Sequence, residues 1–219
     1  MKKLNLKPNT YPGTLITFCG LDGCGKTTMI QRLADELSDD FDIVLTKQPT
    51  NSVRNSDIFR TYMDEQDHSA YDYRSLSLLA ASDRIQHVNK VIVPALESGK
   101  TVISDRYFYS CLANLHARGF KKDKWIYEIA ESIVKPDAAV FIDVPVHTAV
   151  RRVRSRPEEK LRYIDMELQY ALRSEYNGIC RANGGISVRG DISPDNTYNE
   201  ILNNILKILE DKKWIHRKQ

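Results

Sequence analysis

The sequence has few cysteines and little net charge. Its 219 residues include four cysteines, at positions 19, 24, 111 and 180, and no two of them form a CxxC pair. This scatter argues against a disulfide framework or a zinc site, and it predicts reduced thiols. The formal net charge of +3 is too small to indicate a nucleic-acid or membrane partner, so we expect neither.

Targeting and anchoring segments are also missing from the pattern. Residues 1–13 carry lysines but no apolar stretch of the kind found in signal peptides. No run approaches the roughly 18 apolar residues that a membrane span needs. With 42% hydrophobic residues, the chain can bury a substantial core, and we expect a single domain over residues 1–219 of a soluble, cytoplasmic protein.

Apolar strands alternate with helical patterns along the chain. Helical periodicity predicts helices over residues 26–37 and 73–98, with a last one running from about 193 to 209. Pro94 lies inside the long pattern and is expected to kink or end it. Short β-branched runs predict strands at 14–19, 41–46, 101–105, 138–144 and 184–190. This alternation is typical of a parallel, doubly wound α/β sheet, which binds ligands beyond the carboxyl ends of its strands.

The stretch "GLDGCGKTT" directly follows the first predicted strand. It satisfies GxxxxGK[ST], the pattern of a phosphate-binding loop, with Lys26 and Thr27 as its last two positions. Glycines allow successive backbone N–H groups to face an anion, and the following helix adds the positive end of its dipole. Lys26 would neutralise the β- and γ-phosphates, and Thr27 offers a hydroxyl ligand for Mg2+. The predicted ATP contacts are Gly20, Asp22, Gly23, Cys24, Gly25, Lys26, Thr27 and Thr28.

A guanine-binding motif is missing. The sequence has one Asn-Lys pair, Asn89-Lys90, which lies inside a predicted helix and is not followed by the aspartate of NKxD. A GTPase is therefore not favoured.

Charged residues follow the third strand and the fourth. Asp105 ends the strand "TVISD" and precedes Arg106, so a carboxylate suited to Mg2+ and a guanidinium suited to phosphate lie beside the phosphate loop. Arg84 lies on a helical face opposite an apolar stripe that runs from Leu78 to Ile92. The basic run "RRVRSRPEEKLR" predicts either a solvated face or an arginine-rich lid over about residues 151–163.

Nearly the whole chain resembles the thymidylate kinase family. The segment "ITFCGLDGCGKTT" is similar to the family's first strand and phosphate loop. The segment "SDRIQHVNKVIVPALESGKTVISDRYFYSCLA" resembles the family's acceptor-binding helix and DRY segment. The segment "PDAAVFIDVPVHTAVRR" resembles the family's fourth strand and the helix that follows it. The resemblance implies an α/β P-loop NTPase fold, a five-stranded parallel sheet flanked by helices, with an arginine-rich lid. It also implies transfer of the ATP γ-phosphoryl group, with Mg2+, to a deoxynucleoside monophosphate, foremost dTMP, by a homodimer.

The resemblance assigns roles to individual residues. The metal would be held by Thr27 and organised by Asp105, and the phosphate loop carries no arginine, as in members whose lid supplies one. The implied catalytic residues are Lys26, Arg106, Arg152 and Arg156. The implied acceptor contacts are Asp22, Lys47, Arg84, Arg106, Tyr107, Asn114 and Tyr163.

Departures from the family pattern cluster on the acceptor side. Cys19 stands where a glutamate is usual, and Lys47-Gln48-Pro49-Thr50 replaces an Arg-Glu-Pro-Gly loop. Ala80 occupies the position of the aromatic residue that stacks on thymine in the family. Asn114 occupies the position of an aromatic residue that commonly excludes nucleotides with a ribose 2′-hydroxyl. A lost stacking contact forgoes roughly 1 kcal/mol or more. We therefore predict altered base recognition, with dTMP a poor acceptor or not the acceptor.

Other functions remain open at this stage. A nucleoside or small-molecule kinase would need a carboxylate base for its hydroxyl acceptor; related kinases place one where this chain has Gln48, and Asp22 could take that role. An ATP-binding protein with weakened catalysis would also fit the altered acceptor side.

Overall fold

The computed structural model describes residues 1–217, with side chains described up to Lys212. Its centre is a five-stranded sheet in the order β2-β3-β1-β4-β5, with every neighbouring pair parallel. The strands are β1 (Thr14–Cys19), β2 (Ile43–Lys47), β3 (Thr101–Asp105), β4 (Ala138–Asp143) and β5 (Ile186–Arg189). The sheet confirms the predicted α/β class, and β1 and β3 have the predicted bounds.

Helices flank the sheet. They are α1 (Lys26–Leu37), α2 (Asn51–Arg54), α3 (Asp57–Asp64), α4 (Tyr73–His87), α5 (Val93–Glu97), α6 (Phe108–Ala117), α7 (Trp125–Ala130), α8 (Val146–Arg154), α9 (Met166–Asn183) and α10 (Pro194–Arg217). Among the residues described here, no helix is long and apolar enough to cross a membrane.

The predicted long helix is interrupted near Pro94. A π-helical turn, Val88–Ile92, separates α4 from α5. Proline lacks an N–H and its ring collides with the carbonyl group four residues earlier, so a regular α-helix cannot run through it. The wider turn relieves that collision, and the expected interruption is confirmed.

The apolar stripe predicted on α4 is correct only in part. Ala81, Val88 and Ile92 are buried, whereas Leu78 is 46% exposed. α4 packs mainly against α6 and α2 and not against a strand. The start of the stripe therefore has no sheet face to cover.

Parallel strands bring the chemically interesting residues to one edge of the sheet. Within the β1–β3–β2 register, Asp105 pairs with both Phe18 and Lys47. Backbone bonds join the loops just beyond, from Arg106 N to the Phe18 carbonyl at 2.8 Å and from Gln48 N to the Asp105 carbonyl at 3.0 Å. The phosphate-loop pattern, the loop after β2 and the Asp-Arg pair thus become neighbours.

The predicted lid region contains regular structure. Its first residues, 151–154, complete α8, and a 3-10 turn follows at Pro157–Glu159. We call residues 155–165, which connect α8 to α9, the α8–α9 segment. Leu161 within it is 95% exposed.

Candidate active site

A cavity of about 320 Å3 opens at the carboxyl edge of the sheet. Its walls come from the phosphate loop, α2, α3, α4, α6 and the α8–α9 segment. The residues anticipated from the sequence that line it are Gly20, Asp22, Gly23, Gly25, Lys26, Thr27, Thr28, Lys47, Arg84, Asp105, Arg106, Asn114, Arg156 and Tyr163. The fold therefore assembles groups that lie far apart along the chain.

Three anticipated residues lie away from the cavity. Tyr107 is fully buried and its hydroxyl donates to the Val134 carbonyl at 2.7 Å. Cys24 is buried behind the phosphate loop, with its Sγ 3.7 Å from Lys26 Nζ. Arg152 donates from Nη1 to the carbonyl of Gly190 at 3.0 Å, on the β5 side. Their proposed contacts with nucleotide stay predictions.

The phosphate loop has the backbone that an anion cradle requires. Gly20, Gly23 and Gly25 have φ values of 141°, 82° and 103°, a region that L side chains rarely adopt. The first bond of α1 runs from Met29 N to the Gly25 carbonyl at 3.1 Å, so the preceding N–H groups have no acceptor within the helix. These groups and the helix dipole favour a bound phosphate.

Lys26 is folded back onto the loop that carries it. It is only 6% exposed, and its Nζ donates to the carbonyls of Gly20 at 3.2 Å and Leu21 at 2.9 Å. An ammonium group on a flexible stem can exchange these carbonyls for phosphate oxygens without moving the backbone. Lys26 therefore lies beside the phosphate-binding backbone, where its ammonium group can bind a phosphate.

Asp22 lies between cations. Its carboxylate accepts from Arg106 Nη2 and lies 3.6 Å from Arg162 Nη2. The Arg106 guanidinium holds the pKa of Asp22 well below its usual range, with smaller contributions from Lys26 and Arg162. Asp22 is therefore ionised and links the phosphate loop to the end of the α8–α9 segment.

Arg106 has an unusual backbone conformation. Its φ of 70° lies in the left-handed region, which costs a non-glycine residue on the order of 1–3 kcal/mol unless its surroundings enforce it. The Ser104 hydroxyl donates to its carbonyl at 2.8 Å, and its Nη1 donates to the Tyr176 hydroxyl at 3.0 Å. Burial opposes the charge on Arg106, but Asp22 and Tyr176 outweigh that effect and raise its pKa. A strained, fully charged arginine thus faces the phosphate loop.

Asp105 and Thr27 fit a magnesium ion. Asp105 is 9% exposed; its Oδ2 lies 3.5 Å from Lys47 Nζ, while its buried Oδ1 has no partner among the described residues. Thr27, which carries a hydroxyl group, lines the same cavity. No group of three or more His, Cys, Asp or Glu residues suited to a metal occurs in the described part of the chain. Mg2+ needs no such cage, because it takes one or two protein ligands and completes its shell with phosphate oxygens and water.

Several arginines around the cavity are short of anions. Arg84 is 3% exposed, and its Nε has no partner in the described chain, while Nη1 donates to the Ala80 carbonyl at 2.9 Å. Arg54 donates from Nε to the Pro49 carbonyl at 2.7 Å, and burial, followed by the nearby Arg106 charge, lowers its pKa. A buried and a half-buried cation that lack a counter-charge favour an anionic ligand.

The departures at Cys19 and Gln48 have a structural consequence. Burial raises the pKa of Cys19 to about 11, so its thiol is neutral. Gln48 is fully buried; its amide nitrogen lies 2.9 Å from His87 Nδ1, and His87 Nε2 lies 2.7 Å from the Thr46 hydroxyl. The side chain of Gln48 therefore links the loop after β2 to α4 by a hydrogen bond, and it does not line the cavity.

Aromatic residues reach the acceptor side from elsewhere. Ala80 and Asn114 line the cavity as expected, together with Phe59, Tyr62 and Tyr73 from α3 and the start of α4. Sequence reasoning missed these rings, and it also missed Arg54, Arg118 and Tyr176, which belong to no motif. The one available signal was spacing, because Arg118 follows Asn114 by one helical turn.

The sequence is similar to those of known proteins. A family model of thymidylate kinase matches residues 18–201. A protein of Pyrococcus horikoshii named "Probable thymidylate kinase" is 40% identical over 169 residues, covering 75% of this chain and 81% of that protein. Another so named, from Thermococcus gammatolerans, is 32% identical over 91% of this chain and 97% of its own length. A Staphylococcus epidermidis protein named "Thymidylate kinase" is 30% identical over 90% of this chain and 99% of its own.

Proposed function

Because the chain belongs to the thymidylate kinase family, we propose that it transfers the γ-phosphoryl group of ATP to dTMP, forming dTDP and ADP. The observation that carries the proposal is the convergence of the phosphate loop with Arg84, Arg106 and Asp105 in one cavity. Such a cavity offers a triphosphate cradle and, facing it, a cationic site for a second phosphate.

The reaction follows from these placements. An oxygen of the dTMP phosphate attacks the γ-phosphorus as the bond from that phosphorus to the β–γ bridging oxygen breaks, and ADP leaves. The acceptor oxygen is already anionic, so positioning and charge neutralisation suffice and no general base is needed. Lys26 neutralises the β- and γ-phosphates, and Arg106 holds the acceptor phosphate beside the phosphate loop.

Further groups complete the arrangement. Mg2+, held through Asp105 and Thr27, would neutralise charge on the β- and γ-phosphates when bound. Arg156 lines the cavity from the α8–α9 segment and would reach the transferred group as this segment closes over it. Arg162 and Tyr163, at the end of the same segment, also line the cavity. We regard residues 151–163 as the lid on this basis.

A hydroxyl kinase is the competing function, and the structure gives it little support. Gln48, at the position where such kinases carry a base, is neutral, buried and bonded to His87. Asp22 is engaged by Arg106 and its pKa is lowered, which makes it a weak base.

The test is a coupled ADP-release assay with Mg-ATP against the common ribo- and deoxynucleoside monophosphates and the free nucleosides. We expect turnover of dTMP, and its loss by a factor of at least about 1,000 in Lys26→Met. Efficient turnover also decides against the prediction, drawn from Ala80 and Asn114, that dTMP is a poor acceptor. Turnover of free nucleosides alone, or ATP binding without transfer, would overturn the proposal.

Assembly as a homodimer is a further part of the proposal. Leu78, Leu79 and Val91, on α4 and the π-helical turn, are 46%, 39% and 39% exposed and supply apolar surface for a partner copy. Sedimentation equilibrium would give twice the mass of one chain, and a single-chain mass would contradict it.

A further inference from the structure

Arg118 stands at the outer end of the cavity and is held from two sides. Its Nη1 donates to Asn114 Oδ1 at 2.9 Å and to the Asn114 carbonyl at 3.3 Å. Its guanidinium carbon lies 4.0 Å from the centre of the Tyr73 ring and 5.9 Å from that of Tyr62. Asn114 is fixed in turn, because its Nδ2 donates to the Ser110 carbonyl at 2.9 Å. The guanidinium plane thus has a defined orientation.

Arg118 directly follows the last residue of α6, so it lies at the end of this helix away from the phosphate loop. Ser110, at the other end, accepts from the Tyr176 hydroxyl at 3.1 Å, and Tyr176 accepts from Arg106. A rise of 1.5 Å per residue separates the levels of Ser110 and Arg118 by about 12 Å. That is close to the length of a nucleoside monophosphate, so a nucleotide whose phosphate meets Arg106 extends its base toward Arg118.

The guanidinium still has hydrogen-bond donors to offer. Its bonds to Asn114 use Nη1 alone, and within the described part of the chain Arg118 forms no ion pair and no bond through Nε or Nη2. Arg118 is half-buried and lines the cavity. An arginine has only donors, and those that face a half-buried cavity call for acceptors on a ligand.

We propose that Arg118 is a specificity-determining residue that donates to a carbonyl group of the acceptor base. This rests on the proposed function, and it names the substrate class as nucleotides whose base presents a carbonyl group at its outer edge. Ala80 is small, so it leaves the space between the base and Arg118 open. A base with an amino group at that edge places donor against donor, which leaves both groups unsatisfied. Thymine and uracil are therefore accepted and cytosine is rejected.

The test compares Arg118→Met with Arg74→Met. Methionine keeps an apolar stem against Tyr73 and removes every donor. Arg74 is the matched control, because its guanidinium also lies over an aromatic ring, 5.2 Å from the centre of Phe120, but it does not line the cavity. The measurements are kcat and KM with dTMP, dUMP and dCMP, and the dissociation constants of dTMP and dCMP by calorimetry.

We expect Arg118→Met to raise KM for dTMP about tenfold with kcat little changed, and to reduce the ratio of kcat/KM for dTMP to that for dCMP by a similar factor. Arg74→Met should match the wild type. An unchanged dTMP-to-dCMP ratio in a folded Arg118→Met protein overturns the inference; if that variant does not fold, Arg118→Leu, which also removes every donor, is held to the same criterion. If the wild type phosphorylates no nucleotide, the proposed function fails, and the calorimetric ratio alone decides the role of Arg118.

Discussion

The Tyr176 hydroxyl accepts a hydrogen bond from Arg106 Nη1 at 3.0 Å, across 70 residues of sequence. It joins α9, which follows the proposed lid, to the arginine that faces the phosphate loop. Cys19 is a neutral thiol beside them, so the groups that orient Arg106 are the Asp22 carboxylate, the Tyr176 hydroxyl and the Gly20 carbonyl, which accepts from Nη1 at 3.4 Å.

Tyr176→Phe should therefore impair transfer. Hydrogen bonds to charged groups contribute about 1.5–3 kcal/mol, so we expect kcat to fall about tenfold or more while KM for ATP changes little. Tyr109→Phe is the control. The Tyr109 ring packs on Phe141 as the Tyr176 ring does, with distances between ring centres of 5.5 Å and 6.5 Å respectively. The Tyr109 hydroxyl bonds to no described residue. Steady-state kinetics that give both variants the same kcat would contradict the positioning role.

Substitutions of Arg156 and Arg152 are expected to affect catalysis differently. Arg156→Met should lower kcat by on the order of 100-fold or more, because this residue lines the cavity and would meet the transferred phosphoryl group. Arg152→Met should have a much smaller effect on the chemical step, because its guanidinium bonds the Gly190 carbonyl. Single-turnover rates with dTMP separate the two, and the opposite ranking would assign the lid arginine to Arg152.

Gly23 is constrained by more than its backbone angle. A Cβ atom there would lie 2.3 Å from the Ala149 carbonyl oxygen of α8, whereas one on Gly25 would meet no atom within 4 Å. Both substitutions by alanine carry the strain of a positive φ, roughly 1–2 kcal/mol. Gly23→Ala should lose about 1–3 kcal/mol more, because α8 must shift. Urea unfolding of both variants measures the difference, and equal losses would show that α8 yields freely.

His87 should make stability depend on pH. Burial lowers the pKa of His87; Asp83 opposes this effect and Arg84 adds to it. The unfolded chain, with a histidine pKa near 6.5, therefore takes up a proton before the folded chain does, and the free energy of unfolding falls as pH drops below about 6.5. His87→Gln keeps a donor and an acceptor for Gln48 and Thr46 but cannot titrate.

We expect the loss of unfolding free energy between pH 7.5 and pH 5.5 to be smaller in His87→Gln than in the wild type. His147→Gln, at an exposed position, serves as the control and should keep the wild-type dependence. Urea titrations at both pH values provide the measurement. If His87→Gln and the wild type lose the same unfolding free energy over this pH range, His87 is not the cause of the pH dependence.

Local sequence by itself determined the phosphate loop and its setting. A β-branched apolar run, closely spaced glycines and an amphipathic helix predict β1, the loop and α1 with their observed bounds, because each depends on neighbours in sequence. Asp105 and Arg106 were found for the same reason, since the end of a buried strand is visible in the pattern.

Only the tertiary structure decided which faces meet. Periodicity shows that a helix has an apolar face, but not whether a sheet covers it. Leu78 is exposed on α4, which packs mainly against α6 and α2. Sequence reasoning singled out Tyr107 and missed Tyr176, whereas packing buries the first against Val134 and brings the second to Arg106. Arg118 and Arg54 carry no motif, and they matter because helices from distant parts of the chain enclose one cavity. Contacts of this kind depend on long-range packing, which no local pattern encodes.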